Sequence, residues 1–343
     1  MSSQIELTPG PLLDERGNLC QAGYAKGLVK EYDRNQVKTS KLRLKEWDYY
    51  LIYNACYGLA LTIADNGYMG MASFSLLNFQ DKTETTLSKI TPFPMGKLHL
   101  PASSASGNVC MTGKDYKIAF DNDGKRRHLY GNCQRFKDGK ALLFDVELAP
   151  PPQESMVIAT PFSKKGHFYY NQKINCLPAK GRVYLGEEEI LLPQAETSGI
   201  LDWGRGVWTY QNTWYWSGLS GTAEGVPFGF NLGYGFGDTS AASENMLFYG
   251  GKSHKLSRVT FEIPQKDGRD DFLSPWRFTS DDGRFEADFE PLLDRAANMD
   301  FKVLASDQHQ VFGYFTGKAV LDDGKTIQMN RMLGFAEKVK NKW

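Results

Sequence analysis

The stretch RFEADFE limits the fold more than any other: Phe285, Ala287 and Phe289 alternate with Glu286, Asp288 and Glu290. A period of two sends one set to a buried face and the other to water, which a strand can do and a helix cannot. Trp276–Ser280 leads into this strand through DDG, and a second hairpin runs from Tyr116–Phe120 through DNDG to Lys125–Tyr130. The rhythm returns in GRVYLGEEEILLP and in the run where Phe228, Phe230 and Leu232 alternate with Gly229, Asn231 and Gly233. Glycine at alternate positions bares one face, so a ring from another strand or a ligand must come close to that backbone. Thirty-four glycines and 13% aromatic residues spread through such runs, with no long amphipathic helix, predict a mainly β chain.

A chain of 343 residues is long for one hydrophobic core, so two domains are expected. The consecutive prolines of APPPQ, Ala149 to Gln153, cannot extend a ladder and mark the best linker, which divides the chain into 1–152 and 153–343. Gly124 and Gly283 are 159 positions apart, and KEWDYYLIYNACYG lies at nearly the same offset from GVWTYQNTWYWSG. An internal duplication of a β domain explains the offset, and so does a chance alignment of aromatic strands; both stay open.

Forty basic residues balance forty acidic ones, which leaves no electrostatic footprint for nucleic acid or an anionic membrane surface. The five cysteines are widely spaced and form no CxxC, the pattern of reduced thiols. The N-terminus has no basic and apolar signal segment, and no apolar run nears the roughly 20 residues that span a bilayer. A cytoplasmic protein with no integral membrane segment is expected; its oligomeric state is open. The five histidines show no ligand spacing, so no metal is implied. GYGFGD lacks the third spacing and the helix of a dinucleotide fingerprint, and no cofactor is expected.

The segment LDWGRGVWTYQNTWYWSG, 201–218, holds four of the seven tryptophans together with Asp202 and Arg205. So many rings with two charges point to a mostly apolar site with a few polar fixtures. A bend at Gly204 and Gly206 would bring Asp202 and Arg205 together. A structural ion pair pinning that bend is the blander reading and the favoured one; a proton-donating Asp202, with Arg205 orienting a ligand oxygen, is the sharper. Trp203, Trp208, Trp214, Trp216 and Tyr210 are candidate cavity walls, and alternation puts Trp214 and Trp216 on one face. Such rings could bind an apolar ligand or stabilise a carbocation-like transition state. Glu244 is expected to answer Arg205 and is the second candidate acid, with Asn231 and Asn245 as candidate ligand contacts. Turn chemistry accounts for Asp238, and His254 reads as a surface histidine.

DWGRGVW, the following WYW and NLGYGFGD, together with the opening GPLLDERGNLCQAGYAKG, KEWDYYLIY and the closing LGFAEKVKNKW, closely resemble the bacterial family called domain of unknown function 2804. The resemblance covers essentially the whole chain and brings no established chemistry. More distantly, the layout is similar to the lipocalin-like families of carotenoid 1,2-hydratases and tocopherol cyclases. That similarity implies two lipocalin-like antiparallel β-barrel or β-sandwich domains with an apolar ligand cavity near their junction. Three readings follow: an acid-assisted hydratase, cyclase or isomerase acting on a lipid- or terpenoid-like molecule, a non-catalytic carrier of such a molecule, or a carbohydrate-binding or carbohydrate-processing protein. The scarcity of Asn, Gln and Asp around the motif favours the apolar ligand.

Overall fold

The computed structural model describes residues 4–300 and 305–342, with residues 299 and 300 described in backbone alone. Among the described residues the strands form a 13-stranded sheet, a 9-stranded sheet and two 2-stranded pairs. The two large sheets are antiparallel and curl into half-barrels, a lipocalin-like arrangement. Each curls around its own core. Leu61, Phe74, Leu129 and Trp203 fill the first, and Phe230, Trp276, Phe289 and Phe315 fill the second.

Strict alternation generates this arrangement. In Leu44–Tyr53, Leu44, Tyr50 and Ile52 point into the first half-barrel, while Tyr49, Leu51 and Tyr53 point out of it. The outward set is not solvated. It packs against Trp216, Phe312 and Phe335 of the second sheet, so the sheets meet through their outer faces. Tyr53 clasps this seam, its hydroxyl donating to Ser220 O at 2.9 Å and accepting from Ser220 N at 2.7 Å.

The boundary expected at APPPQ is not where the sheets change. Met156–Pro161, Phe168–Leu185 and Ser198–Val207 all pair within the first sheet, and the second begins with Gln211–Ala223. The prolines interrupt a strand succession without ending the sheet, because Phe168–Leu185 returns to pair with Lys140–Leu148 on their far side.

Both sheets follow one strand order. In the first, the opening long strand Leu44–Tyr53 pairs with the closing strand Ser198–Val207; in the second, Gln211–Ala223 pairs with Thr326–Lys342. On this order the aromatic blocks KEWDYY and TWYWSG occupy equivalent strands. The Gly124 and Gly283 hairpins are one strand out of step.

Candidate functional site

Cross-strand register builds a cavity of about 300 Å³ between the two outer faces. Its floor is a single row across six strands of the first sheet: Ser88, Ser73, Thr62, Tyr49, Asp202 and Lys173, each paired with the next. The opposing row in the second sheet runs Gly233, Trp216, Glu337, Gln310 and Arg295. Directly paired residues share a face, so the register alone brings these groups to one place. Trp47, Tyr169, Trp208, Trp214 and Phe236 wall one end. Trp47 and Tyr169 stack at 6.1 Å, and the other ring pairs meet edge to face, as in the Trp208–Trp214 pair at 5.9 Å and the Trp208–Phe236 pair at 4.9 Å between centroids. Hydroxyl and amide groups of Thr86, Ser88, Ser306, Gln308 and Asn341 line another part.

Asp202 and Arg205 do not meet, contrary to the expected bend. Ser198–Val207 keeps unbroken register with Leu44–Tyr53, so the two side chains leave opposite faces. Asp202 faces the cavity, where its oxygens are held by Lys173 Nζ at 2.8 Å and by the Asn171 amide at 2.6 Å. Arg205 is wholly buried inside the first half-barrel, where it pairs with Asp48 at 2.9 Å and donates to the carbonyls of Trp47, Gly204 and Pro101. Its partner is therefore Asp48 and not Glu244. Trp203 lies on the same inner face, with the guanidinium 4.3 Å from its ring centroid. Neither Trp203 nor Arg205 lines the cavity, and Tyr210 is 41% exposed outside it.

The glycines of DWGRG serve clearance. A Cβ at Gly204 would collide with the Trp47 ring, so the bare position lets that indole lie flat on the strand. Gly233 does the same for Glu244, whose Cδ would be 2.7 Å from an added Cβ. Gly229 makes room for Cys176 of the first sheet.

Glu244, Trp208, Trp214 and Trp216 all line the cavity, and the last two share a face as alternation requires. Asn231 stands behind them, accepting from Trp216 Nε1 at 2.8 Å and donating to Glu244 O at 2.8 Å. Asn245 fixes backbone instead, accepting from Gly233 N and donating to Ser257 O. Asp238 closes a turn by accepting from Ser240 N, and His254 pairs with Asp322.

Lys173, Glu337, Gln310 and Arg295 enter the site without having been singled out from the sequence. Their signal was an interruption: Glu337 follows Phe335 on the buried face of LGFAEKV, and Lys173 follows Tyr169 on the outer face of YYNQK. Glu337 is 4% exposed and accepts from Trp214 Nε1 at 3.0 Å and from the Gln308 and Gln310 amides at 3.3 and 3.2 Å. Burial raises the pKa of Glu337, with the Trp214 bond opposing it. Burial likewise raises Glu244, with the positive charge of Lys173 opposing. Among the described residues, no group of three or more His, Cys, Asp or Glu side chains is placed to hold a metal ion, and no helix is long and apolar enough to cross a membrane.

Fold and site together define a two-part, lipocalin-like β protein with a cavity at its seam. Residues 3–343 match the family described as Domain of unknown function (DUF2804), and the chain belongs to it. No curated protein matches the sequence. Two solved structures share the fold. Kievitone hydratase from Nectria haematococca superposes with a TM-score of 0.52 at 11% identity, over 87% of this chain and 89% of that one. A protein assigned as AttH (NE1406) from Nitrosomonas europaea gives 0.53 at 13% identity, over 91% and 96%. At such identities the likeness shows the fold alone.

Proposed function

We propose that the chain binds a largely apolar small molecule in the seam cavity and catalyses its proton-initiated hydration, cyclisation or isomerisation. The observation that carries this reading is Glu244, a carboxyl group with raised pKa that opens into a cavity walled by indoles. Asp202 is the less available donor because both of its oxygens are already engaged. Glu244 gives its proton to one carbon of a carbon–carbon double bond, and the positive charge left on the other carbon is met by the aromatic walls of the cavity. Water adding there and losing a proton gives hydration. Attack by a second double bond gives cyclisation, and loss of a neighbouring proton gives isomerisation. The hydroxyl and amide groups along the cavity suit a ligand that carries oxygen at one end. The shared fold with a hydratase supports the class of chemistry.

Incubation with an organic extract of the source cells in D2O tests the acid step. The wild-type chain is expected to place deuterium on carbon in one recovered molecule, and Glu244→Gln to slow this by about 10²-fold or more while remaining folded. Equal deuteration by both proteins would overturn the role of Glu244.

A further inference from the structure

We propose that the molecule taken up in this cavity carries a positive charge, an ammonium or quaternary ammonium group on its apolar skeleton, held between Glu337 and the indole faces of Trp208 and Trp214. This rests on the cavity reading above and extends it by fixing the ligand's charge. Three carboxyl groups line the cavity, Asp202, Glu244 and Glu337, against two cations, Lys173 and Arg295. With Glu244 holding the proton it donates and Lys173 bound to Asp202, Glu337 is the remaining carboxyl, and among the described residues no cation lies within ion-pair distance of it.

Neither cation touches Glu337, and the charge of Arg295 reaches it only from beyond ion-pair distance. Lys173 is committed to Asp202 at 2.8 Å, and Arg295 donates to Ser75 Oγ at 3.0 Å. Among the described residues, no ion pair joins a lysine, arginine or histidine to Glu244 or Glu337. A buried carboxylate with no counter-ion carries a large desolvation cost, which an incoming cation offsets. Glu337 is rigid as well as buried, because the three side-chain N–H donors from Trp214, Gln308 and Gln310 fix its oxygens.

The walls fit the same ligand. Indole faces carry negative potential and attract cations, quaternary ammonium groups above all. Donating the Trp214 N–H to Glu337 pushes electron density into that ring and strengthens the effect on its face. The cavity already contains one such contact, with Lys173 Nζ 3.9 Å from the Trp216 ring centroid.

A matched pair of probes tests the charge alone: (4-hydroxybenzyl)trimethylammonium and its neutral isostere 4-neopentylphenol, titrated calorimetrically into the full chain. The ammonium compound is expected to bind at least about tenfold more tightly, and Glu337→Gln to reduce that ratio toward unity while the neutral probe's affinity is retained. Circular dichroism confirms that the variant is folded, and the wild-type ratio stands as a test without it. Equal or tighter binding of the neutral probe would overturn the charge assignment and leave the apolar-cavity reading standing. Binding of neither probe would overturn both, and an unchanged ratio in Glu337→Gln would remove the assignment to Glu337.

Discussion

Gly233 has no side chain, and that lets Glu244 lie across its strand and reach the cavity. Among the described residues only Asn231 donates to the carboxyl group, at 3.5 Å, so burial dominates and its pKa rises from 4.5. A carboxyl whose native pKa lies above its unfolded one holds its proton more tightly when folded. Its contribution to stability is therefore complete below the unfolded value and is lost as pH rises through the native one. Glu244→Gln stays neutral throughout. Between about pH 5 and about pH 8 the wild type is expected to lose more stability than the variant, as read from urea denaturation at both values. Parallel slopes would contradict this. The carboxyl was legible in the sequence as a candidate acid, but the reason it turns inward was not, because that reason is a missing Cβ on a neighbouring strand.

Along a single strand, alternation is readable from sequence, and across strands, register is not. The period of two correctly assigned Trp214 and Trp216 to one face. The same period, applied without a bend, separates Asp202 from Arg205, and the unbroken pairing of Ser198–Val207 with Leu44–Tyr53 enforces that separation. The glycines suggested a bulge, yet Gly204 serves a ring from a segment about 160 residues away, which no local pattern encodes. Gly204→Ala would drive a methyl group into Trp47 and is expected to cost about 1–3 kcal/mol of overpacking strain. Trp47 fluorescence and a urea midpoint measure it, and a variant as stable as wild type would refute the clearance argument. Lys173 and Asp202 show the same limit: they are 29 residues apart and become neighbours only through the hairpin register.

Two half-barrels back to back leave their seam as the place where aromatic outer faces and polar rows converge. The mainly β fold and its two-part form were legible from turns and alternation; a cavity near the junction followed only from the resemblance, since an outward aromatic row reads equally as core. Asp202 and Glu337 lie on equivalent closing strands, beside Tyr49 and Trp216 on equivalent opening strands. That correspondence sets two carboxyl groups across one cavity. The seam is held by specific bonds as well as by apolar area. Tyr53→Phe leaves the buried Ser220 N–H without its acceptor and is expected to cost about 1–3 kcal/mol in urea denaturation, whereas an unchanged midpoint would show that the clasp contributes nothing.

Native mass spectrometry of the chain after exposure to an organic extract of its source cells measures directly whether the seam holds a ligand. One retained organic molecule per chain is expected, released when Trp208 and Trp214 are both replaced by alanine in a protein that stays folded. A wild-type chain that remains bare at saturating extract, or a bound molecule indifferent to the loss of both indoles, would contradict the account.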